Sequence, residues 1–324
     1  MAVPEAYMVQ DGEFVDYTPT TAKEAGDVVQ HVDGRAGVVV ADIAAGVMGS
    51  INVRRGVIVD VAKAADIVII EGDEIWWDHS ANAATNVPRY GAADKDFYLG
   101  VAQEDVVAAG TDVKVALNEH PVWAIDSARD YGDTILVLTA GTPDLVNRGG
   151  MMLARFSLTA EAQKVDWFSD RSFPLASNFI FCADVVIVET CDADVGDLSI
   201  GVANATHASD FDSVTESAIF HYDLGADTNI DAESDDGTVE VAATDTTKDF
   251  AAGTPHRLVI DGRDPTNLKY YVDSVEVLAA TANLGDIRLA TGPLKAAFHL
   301  EKTSNDSPGQ VAARLRVRFN DENE

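Results

Sequence analysis

Apolar and polar residues alternate with a period of two in short runs along the chain, and Gly, Asp and Asn separate these runs. Such alternation between turn residues is typical of strands in antiparallel sheets, whereas the period of an amphipathic helix is hard to find. The cleanest example is at 312–319, where Leu315, Val317 and Phe319 fall on one face of the predicted strand. The pattern therefore predicts an all-β protein built from sandwiches or barrels.

One less regular stretch divides the strand pattern into two parts. It contains Pro121 and Pro143 and follows a series of short predicted strands, and longer predicted strands come after it. A chain of 324 residues suits two domains of about 150 residues each. We predict a first β-domain at 1–118, a connector at 119–133 and a second β-domain at 134–324.

The charge balance is strongly acidic. The chain has 54 Asp and Glu against 23 Lys and Arg, a net charge of −31. This argues against nucleic-acid binding, which needs a basic surface, and against a peripheral helix on an anionic membrane. No apolar run approaches the roughly 20 residues of a membrane helix. Two interpretations remain open: a surface adapted to salty water, or an outer layer that does not adhere to nucleic acid or other particles.

The N-terminal residues and the cysteines bear on where the protein works. Met1–Gln10 has neither a basic segment nor a long apolar run, so we expect no secretory signal. Cys182 and Cys191 lie in one apolar run, where a strand rising about 3.3 Å per residue separates them far beyond the span of a disulfide. Both are expected to be reduced, which fits assembly inside a cell.

The sequence lacks the motifs of common catalytic sites. The seven histidines are scattered singly, and there is no Cys-x-x-Cys, no Gly-x-Ser-x-Gly and no phosphate-binding glycine loop. Retaining glycosidases need two carboxylates about 5–5.5 Å apart, and no Glu-x-Asp-x-Glu string supplies them on one strand. We therefore predict a protein that binds and does not catalyse.

Calcium is the one cofactor candidate, and otherwise no cofactor is expected. Asp227, Asn229 and Asp231 alternate as the first ligands of an EF-hand loop do, but Ala232 stands at its glycine position and Thr238 at its final glutamate position. The segment is therefore not an EF-hand. A looser calcium site and an acidic solvated loop both remain open for it.

Two groups of residues are candidates for an interface. Trp76 and Trp77 are adjacent, so one should face the core and the other should face outward as an anchor between protomers. Arg314, Arg316 and Arg318 share the polar face of the last predicted strand. They could face an acidic patch on a neighbouring subunit, or they could protect an edge strand from pairing with another sheet.

The first domain resembles a family of small phage proteins described as capsid cement or decoration proteins. An ordered set of segments carries the resemblance: Val9-Gln10-Asp11-Gly12, Asp16-Tyr17-Thr18-Pro19, Ala25-Gly26-Asp27-Val28-Val29, Asp42-Ile43-Ala44-Ala45-Gly46, Arg55-Gly56-Val57 leading to Lys63, Gly72-Asp73, Trp76-Trp77-Asp78, Leu99-Gly100-Val101-Ala102 and Val113-Lys114-Val115-Ala116-Leu117. The resemblance implies binding to the major capsid protein on the outer surface of the virion, as a homotrimer, after synthesis in the host cytoplasm.

The second domain resembles the concanavalin-like, laminin-G-like jelly rolls that are appended to phage structural proteins. The similar segments are Leu198–Ala203, His256–Asp261, Tyr270–Val275 and Phe298–Thr303. The two resemblances together imply a small β-barrel or β-sandwich followed by an antiparallel jelly-roll sandwich. They suggest a decoration protein with an outward-facing head. The alternative is a glycan-binding head fibre or adhesin, for which Tyr270 and Tyr271 are the paired aromatic residues available to a binding platform.

Overall fold

The computed structural model describes residues 13–87, 96–129, 133–138, 144–148, 150–156, 162–174, 178–189, 196–205, 211, 214–224, 228–278, 287, 290, 292–302 and 309–319. These residues form strands and turns, and none of them lies in a helix. The chain divides into two compact units, Met1–Pro121 and Val122–Glu324. The prediction of an all-β protein is confirmed.

The first unit contains two open antiparallel sheets. Its strands are β1 (Phe14–Tyr17), β2 (Val28–Gln30), β3 (Ala36–Val39), β4 (Gly49–Asn52), β5 (Ile58–Ala62), β6 (Glu74–Asp78), β7 (Ala83–Thr85), β8 (Phe97–Ala102) and β9 (Asp112–Leu117). The four-stranded sheet has the order β1-β4-β3-β2, and the five-stranded sheet has the order β5-β9-β8-β6-β7. Neither sheet closes into a barrel among the strands described, so the sandwich alternative applies.

Two apolar clusters stabilise the first unit. The larger contains Trp77, Leu99 and Val115 from the five-stranded sheet together with Ala36 from the four-stranded sheet. The smaller lies on the other face of the four-stranded sheet around Ile51. Both clusters consist of alternate residues along their strands, as the period of two requires.

The second unit is a sandwich of two large antiparallel sheets. Its strands are β10 (Ile125–Asp126), β11 (Asp133–Leu138), β12 (Asp144–Arg148), β13 (Met151–Arg155), β14 (Gln163–Phe168), β15 (Phe179–Glu189), β16 (Gly196–Ala203), β17 (Ser217–Asp223), β18 (Asn229–Asp235), β19 (Glu240–Asp249), β20 (Pro255–Gly262), β21 (Lys269–Val272), β22 (Val275–Val277), β23 (Lys295–Lys302) and β24 (Gln310–Phe319). One sheet has the order β12-β13-β24-β15-β20-β21-β22, with β10 also paired to β24, and the other has the order β11-β14-β23-β16-β17-β18-β19.

The chain passes repeatedly from one sheet of the second unit to the other. β13, β15 and β24 lie in the eight-stranded sheet, whereas β14, β16 and β23 lie in the seven-stranded sheet. A single core between the sheets includes Phe181, Leu258 and Leu315 from the first and Phe220 and Phe298 from the second. These crossings and the shared core form the antiparallel jelly-roll sandwich that the sequence predicts.

The segment at 122–129 lies in the second unit, although the sequence assigns it to the connector. Ile125 is buried in the core of the sandwich, and β10 pairs with β24 through Ile125–Val317 and Asp126–Arg316. The hydroxyl of Ser127 accepts a hydrogen bond from the backbone N–H of Leu315 at 2.9 Å. The second unit therefore includes residues that precede the predicted boundary at 134.

Candidate functional site

Trp76 and Trp77 point to opposite faces of β6. Trp77 is 4% exposed and belongs to the core of the first unit. Trp76 is half-buried on the outer face, where its ring meets Tyr98 edge-to-face at 5.5 Å. Tyr98 in turn stacks on His120 at 4.8 Å. Only Trp76 therefore has the outward position that an interface anchor needs, and its contact with another protomer stays a prediction.

Lys63 is a buried lysine that joins two turns of the first unit. Its Nζ donates hydrogen bonds to the carbonyl oxygens of Ala64 and Ile67 at 2.9 Å and of Ala108 at 3.2 Å. Burial lowers the pKa of Lys63, and the carboxylate of Asp66 acts in the opposite direction. Lys63 belongs to the segments that resemble cement proteins, and these contacts give it a structural role.

A Lys63→Met variant is expected to lose about 2 kcal/mol of unfolding free energy, because three carbonyl groups lose a charged donor while the apolar stem is kept. Chemical denaturation of the full chain measures the loss, and hydrogen exchange of the first-unit amides assigns it to that unit, because Trp123 and Trp167 of the second unit also fluoresce. The matched control is Lys114→Met, which removes an exposed lysine paired with Glu104 and should change stability by less than about 0.5 kcal/mol. Equal effects of the two variants would contradict the assigned role.

The arginines at 314, 316 and 318 lie on an interior strand, so the expectation of an edge strand is wrong. β24 pairs with β15 along one side and with β13 and β10 along the other. Alternation along the sequence could not reveal this, because it shows which side chains share a face but not how many neighbours the strand has.

Residues of the same unit engage these arginines. Arg314 donates to both carboxylate oxygens of Asp126 at 3.1 and 2.8 Å, and the fully buried Arg316 donates to Asp184 at 2.6 Å. The guanidinium groups of Arg316 and Arg318 lie 4.9 and 5.3 Å from the ring centroid of Trp123. The contacts with Asp126 and Trp123 hold the 122–129 segment on the sheet. Contact of the three arginines with another subunit stays a prediction.

The outer face of the seven-stranded sheet carries a row of polar side chains that the sequence analysis missed. The register places Asp166 of β14 opposite His299 of β23, and His299 opposite Ser199 of β16. His221 of β17 lies opposite Ser199, and Asp231 of β18 lies opposite His221. The neighbouring residues on these strands belong to the core, so the row faces away from it.

Hydrogen bonds and ion pairs connect the members of this polar row. His299 Nδ1 lies 2.6 Å from Asp166 Oδ1, and His299 Nε2 lies 3.4 Å from Glu301 Oε2. Lys164 Nζ lies 3.5 Å from Asp166 Oδ2, while the hydroxyl of Ser199 lies 3.1 Å from His221 Nδ1. The buried end of the row thus combines a lysine and a histidine with two carboxylates.

His299 is the titratable centre of the polar row. Burial of the imidazole lowers its pKa, but the hydrogen bond to Asp166 and the nearby carboxylate of Glu301 outweigh burial, so the pKa of His299 lies above its ordinary value of 6.5. The ring of Phe211 stacks on the imidazole at 5.1 Å and covers it. An enclosed imidazole between two carboxylates is a structural group and is not accessible to a ligand.

The opposite end of the polar row is more accessible. His221 and Asp231 are half-buried, and Asp245 of β19, which lies opposite Asp231, is exposed. Imidazole and carboxylate groups at this end can accept or donate hydrogen bonds to a hydroxyl-bearing ligand. The residues of the polar row come from strands that are far apart in the sequence. Within a single strand, only the alternation of apolar and polar residues along β23 could have indicated the row.

The calcium candidates occupy a strand, and the expectation of a loop is wrong for two of them. Asn229 and Asp231 lie in β18, and Asp227 is outside the described residues. The amide nitrogen of Asn229 donates to the carboxylate of Asp245 at 3.3 Å. Among the residues described, no group of three or more His, Cys, Asp or Glu side chains is arranged to hold a metal ion.

Calcium binding at this strand stays a prediction with a defined signature. Added Ca²⁺ should raise the unfolding temperature of the chain, because an ion that binds only the folded state stabilises it. Asp231→Asn should remove this rise, and Asp144→Asn, a change of the same charge on the other sheet, should not. An unfolding temperature that is the same in Ca²⁺ and in a chelator would discard the site.

Tyr270 and Tyr271 do not form an exposed platform for a glycan. Tyr270 is fully buried and its hydroxyl donates to the backbone carbonyl of Glu233 at 2.7 Å. Tyr271, on the opposite face of β21, is 5% exposed. The expectation that this aromatic pair forms a platform for sugar stacking is therefore wrong, because both rings are buried by packing.

The fold and these sites define a two-unit all-β protein whose first unit is a small two-sheet domain and whose second is a jelly-roll sandwich. Residues 9–117 match the family described as Phage cement protein. The match covers nearly all of the first unit, which ends at Pro121. The first unit is therefore similar to phage cement proteins over almost its whole length. This supports a capsid decoration role and a place in the virion, and it favours a structural role over a catalytic one.

Other comparisons concern the fold of the chain. It is similar to a structure from work on endo-acting O-glycanases of the human gut microbiota, with 13% identity, a TM-score of 0.44, and coverage of 62% of this chain and 100% of the other. It is also similar to the VIP36 exoplasmic/lumenal domain in its Ca²⁺/Man-bound form, with 11% identity, a TM-score of 0.41, and coverage of 63% and 85%. No curated protein sequence matches the chain. Among the residues described, no helix is long and apolar enough to cross a membrane.

Proposed function

We propose that the protein is a capsid decoration protein whose first unit binds the outer surface of the shell formed by the major capsid protein. The observation that carries the proposal is the family match over 9–117, which nearly coincides with a compact structural unit. The second unit then stands as a head that faces outward. Self-association as a homotrimer is part of the same proposal.

The proposed mechanism is stabilisation by linkage. A protein that binds only the assembled shell lowers the free energy of that state and not the free energy of the separate capsid subunits. At a free concentration one hundred times its Kd, each occupied site contributes about 2.7 kcal/mol. The protein's surplus of acidic side chains disfavours binding to the packaged nucleic acid and so helps to confine the protein to the shell.

Purified shells made of the major capsid protein alone provide the test. The full chain should sediment with the shells in a saturable manner and should raise the temperature at which they dissociate as its concentration increases. Sedimentation of the free protein should give three times the 34.5 kDa chain mass if it is a trimer. Shells that bind none of the protein would contradict the decoration role.

Glycan binding by the second unit is the second candidate function. The observation that favours it is the accessible end of the polar row, where His221, Asp231 and Asp245 offer hydrogen-bonding groups on one sheet face. A glycan array probed with the full chain tests it, with Asp231→Ala expected to lose the signal. The matched control is Asp144→Ala on the other sheet. An array without signal from the unaltered chain would leave the decoration role alone.

A further inference from the structure

A cleft lies between the two sheets of the first unit, where an edge strand of each sheet borders it. β2 is the last strand of the four-stranded sheet, and β5 is the first strand of the five-stranded sheet. The cleft has a volume of about 380 Å³. The described residues that line it are Lys23, Gly26, Asp27, Val28, Asp60, Val61, Ala62, Trp77, His79 and Asn82.

β5 presents its backbone to this cleft, and the turn before β2 borders it from the other sheet. Asp60–Ala62 are three consecutive residues of β5, although successive side chains of a strand point to opposite faces, so the edge of β5 itself borders the cleft. On the other side, Gly26 and Asp27 precede β2, and Val28 is its first residue. Among the described strands, β2 pairs only with β3 and β5 pairs with β9, and Lys63, directly after β5, forms a single bridge to Ala84 of β7. An open strand edge is a template for an added extended segment.

The floor of the cleft is apolar. Val61 and Trp77 are both buried and line it from the five-stranded sheet. The indole Nε1–H of Trp77 is buried and has no hydrogen-bond acceptor among the described residues. The ring of a tryptophan favours an aliphatic stem and a cationic group over an anionic one.

The charges that line the cleft favour a cation. Asp27, directly before β2, and Asp60 of β5 contribute two carboxylates, against the single lysine Lys23, whose Nζ lies 3.9 Å from Asp27 Oδ2. Residues 1–121 as a whole carry 20 acidic and 8 basic residues, so their summed field also attracts positive charge. An arginine or lysine in the added segment would complement both carboxylates.

We propose that this cleft receives an extended segment of the shell protein that carries a basic side chain, with the segment lying along the edge of β5 and beside the turn that leads into β2. The proposal rests on the decoration role and names the part of the first unit that docks. The backbone of the segment supplies the edge hydrogen bonds, and its basic side chain supplies the charge contact.

Two peptides test the chemistry of the cleft directly in the full chain. The probes are the capped peptide Ac-Val-Arg-Val-NH₂ and its neutral counterpart Ac-Val-Gln-Val-NH₂. With the indoles labelled with ¹⁵N, and the Trp77 signal assigned through Trp77→Phe, the arginine peptide should shift that signal in a saturable manner. The glutamine peptide should bind at least tenfold more weakly. No shift, or equal shifts with the two peptides, would overturn the proposal.

A pair of charge-matched variants separates the cleft from the proposed function. Asp27→Asn/Asp60→Asn should weaken both peptide binding and shell binding at least tenfold, while Glu24→Gln/Glu71→Gln, which removes two exposed carboxylates outside the cleft lining, should leave both unchanged. If the unaltered chain binds shells and the Asp27→Asn/Asp60→Asn variant binds them equally well, the cleft is not the docking site and the decoration role stands. If the unaltered chain does not bind shells, the decoration role itself is wrong.

Discussion

The Gly201→Ala variant is expected to unfold its unit about 3 kcal/mol more easily than the natural chain. A Cβ on Gly201 would lie 2.2 Å from the carbonyl oxygen of Ala218 and 2.7 Å from Cα of Ile219. Both are backbone atoms of β17, directly across the ladder from Gly201, which pairs with Ile219. They cannot rotate away, so the two central strands must separate locally.

Urea denaturation of the full chain measures the effect, with hydrogen exchange of the β16 and β17 amides to locate it. In thermal unfolding, the same loss should lower the unfolding temperature by roughly 10 °C for a unit of this size. Gly100→Ala is the counterpart in the first unit, because its Cβ would lie 2.1 Å from the carbonyl oxygen of Ala116 in β9. Each variant should expose the amides of its own unit to exchange. A stable Gly201→Ala variant would show that β16 and β17 are not paired in this register.

The sequence could predict strands wherever alternation was undisturbed. The predicted strand at 312–319 corresponds to β24, because buried apolar positions recur there with a period of two. Gly201 interrupts the apolar residues of β16. The continuous register of β16 with β17 and the short distance to Ala218 identify close packing.

The sequence could not predict features that depend on which strands are neighbours. The acidic segment containing Asn229 and Asp231 has low β-propensity and was expected to be a loop, yet pairing with β17 and β19 makes it a strand. The row from Asp166 to Asp231 spans four neighbouring strand pairs, so it exists only once the sheet order is known. Local pattern determines the face of a side chain, whereas tertiary pairing determines its partners.

Several residues of the matched cement-protein segments have roles within the fold. Lys63 joins two turns, Gly100 allows β8 to approach β9, and Asp73 accepts hydrogen bonds from the backbone of Ile70 and the side chain of Asn86. The resemblance therefore identifies a scaffold, and binding has to be sought at surface positions that this scaffold presents. The cleft beside Asp27 and Asp60 is one such position.

The Asp166→Asn variant is expected to lose about 3 kcal/mol of unfolding free energy and to change the pH dependence of stability. The carboxylate of Asp166 pairs with the buried side chains of Lys164 and His299, and the amide leaves both without that negative charge. Because the folded pKa of His299 is raised, its contribution is fully present below the unfolded pKa of 6.5 and is lost as the pH rises through the folded value.

Urea denaturation at a series of pH values from about 5.5 to 9, which lie below and above the ordinary histidine pKa, checks both the loss of stability and its pH dependence. The natural chain should lose stability as the pH rises through this window, and Asp166→Asn should be less stable with a flatter profile, because the main partner that favours the imidazolium is gone. Asp245→Asn is the matched control, since it removes an exposed carboxylate from the same sheet face and should keep the natural slope. A profile for Asp166→Asn as steep as that of the natural chain would mean that another group titrates. The polar row would then be a set of hydrogen bonds and not a charged unit centred on His299.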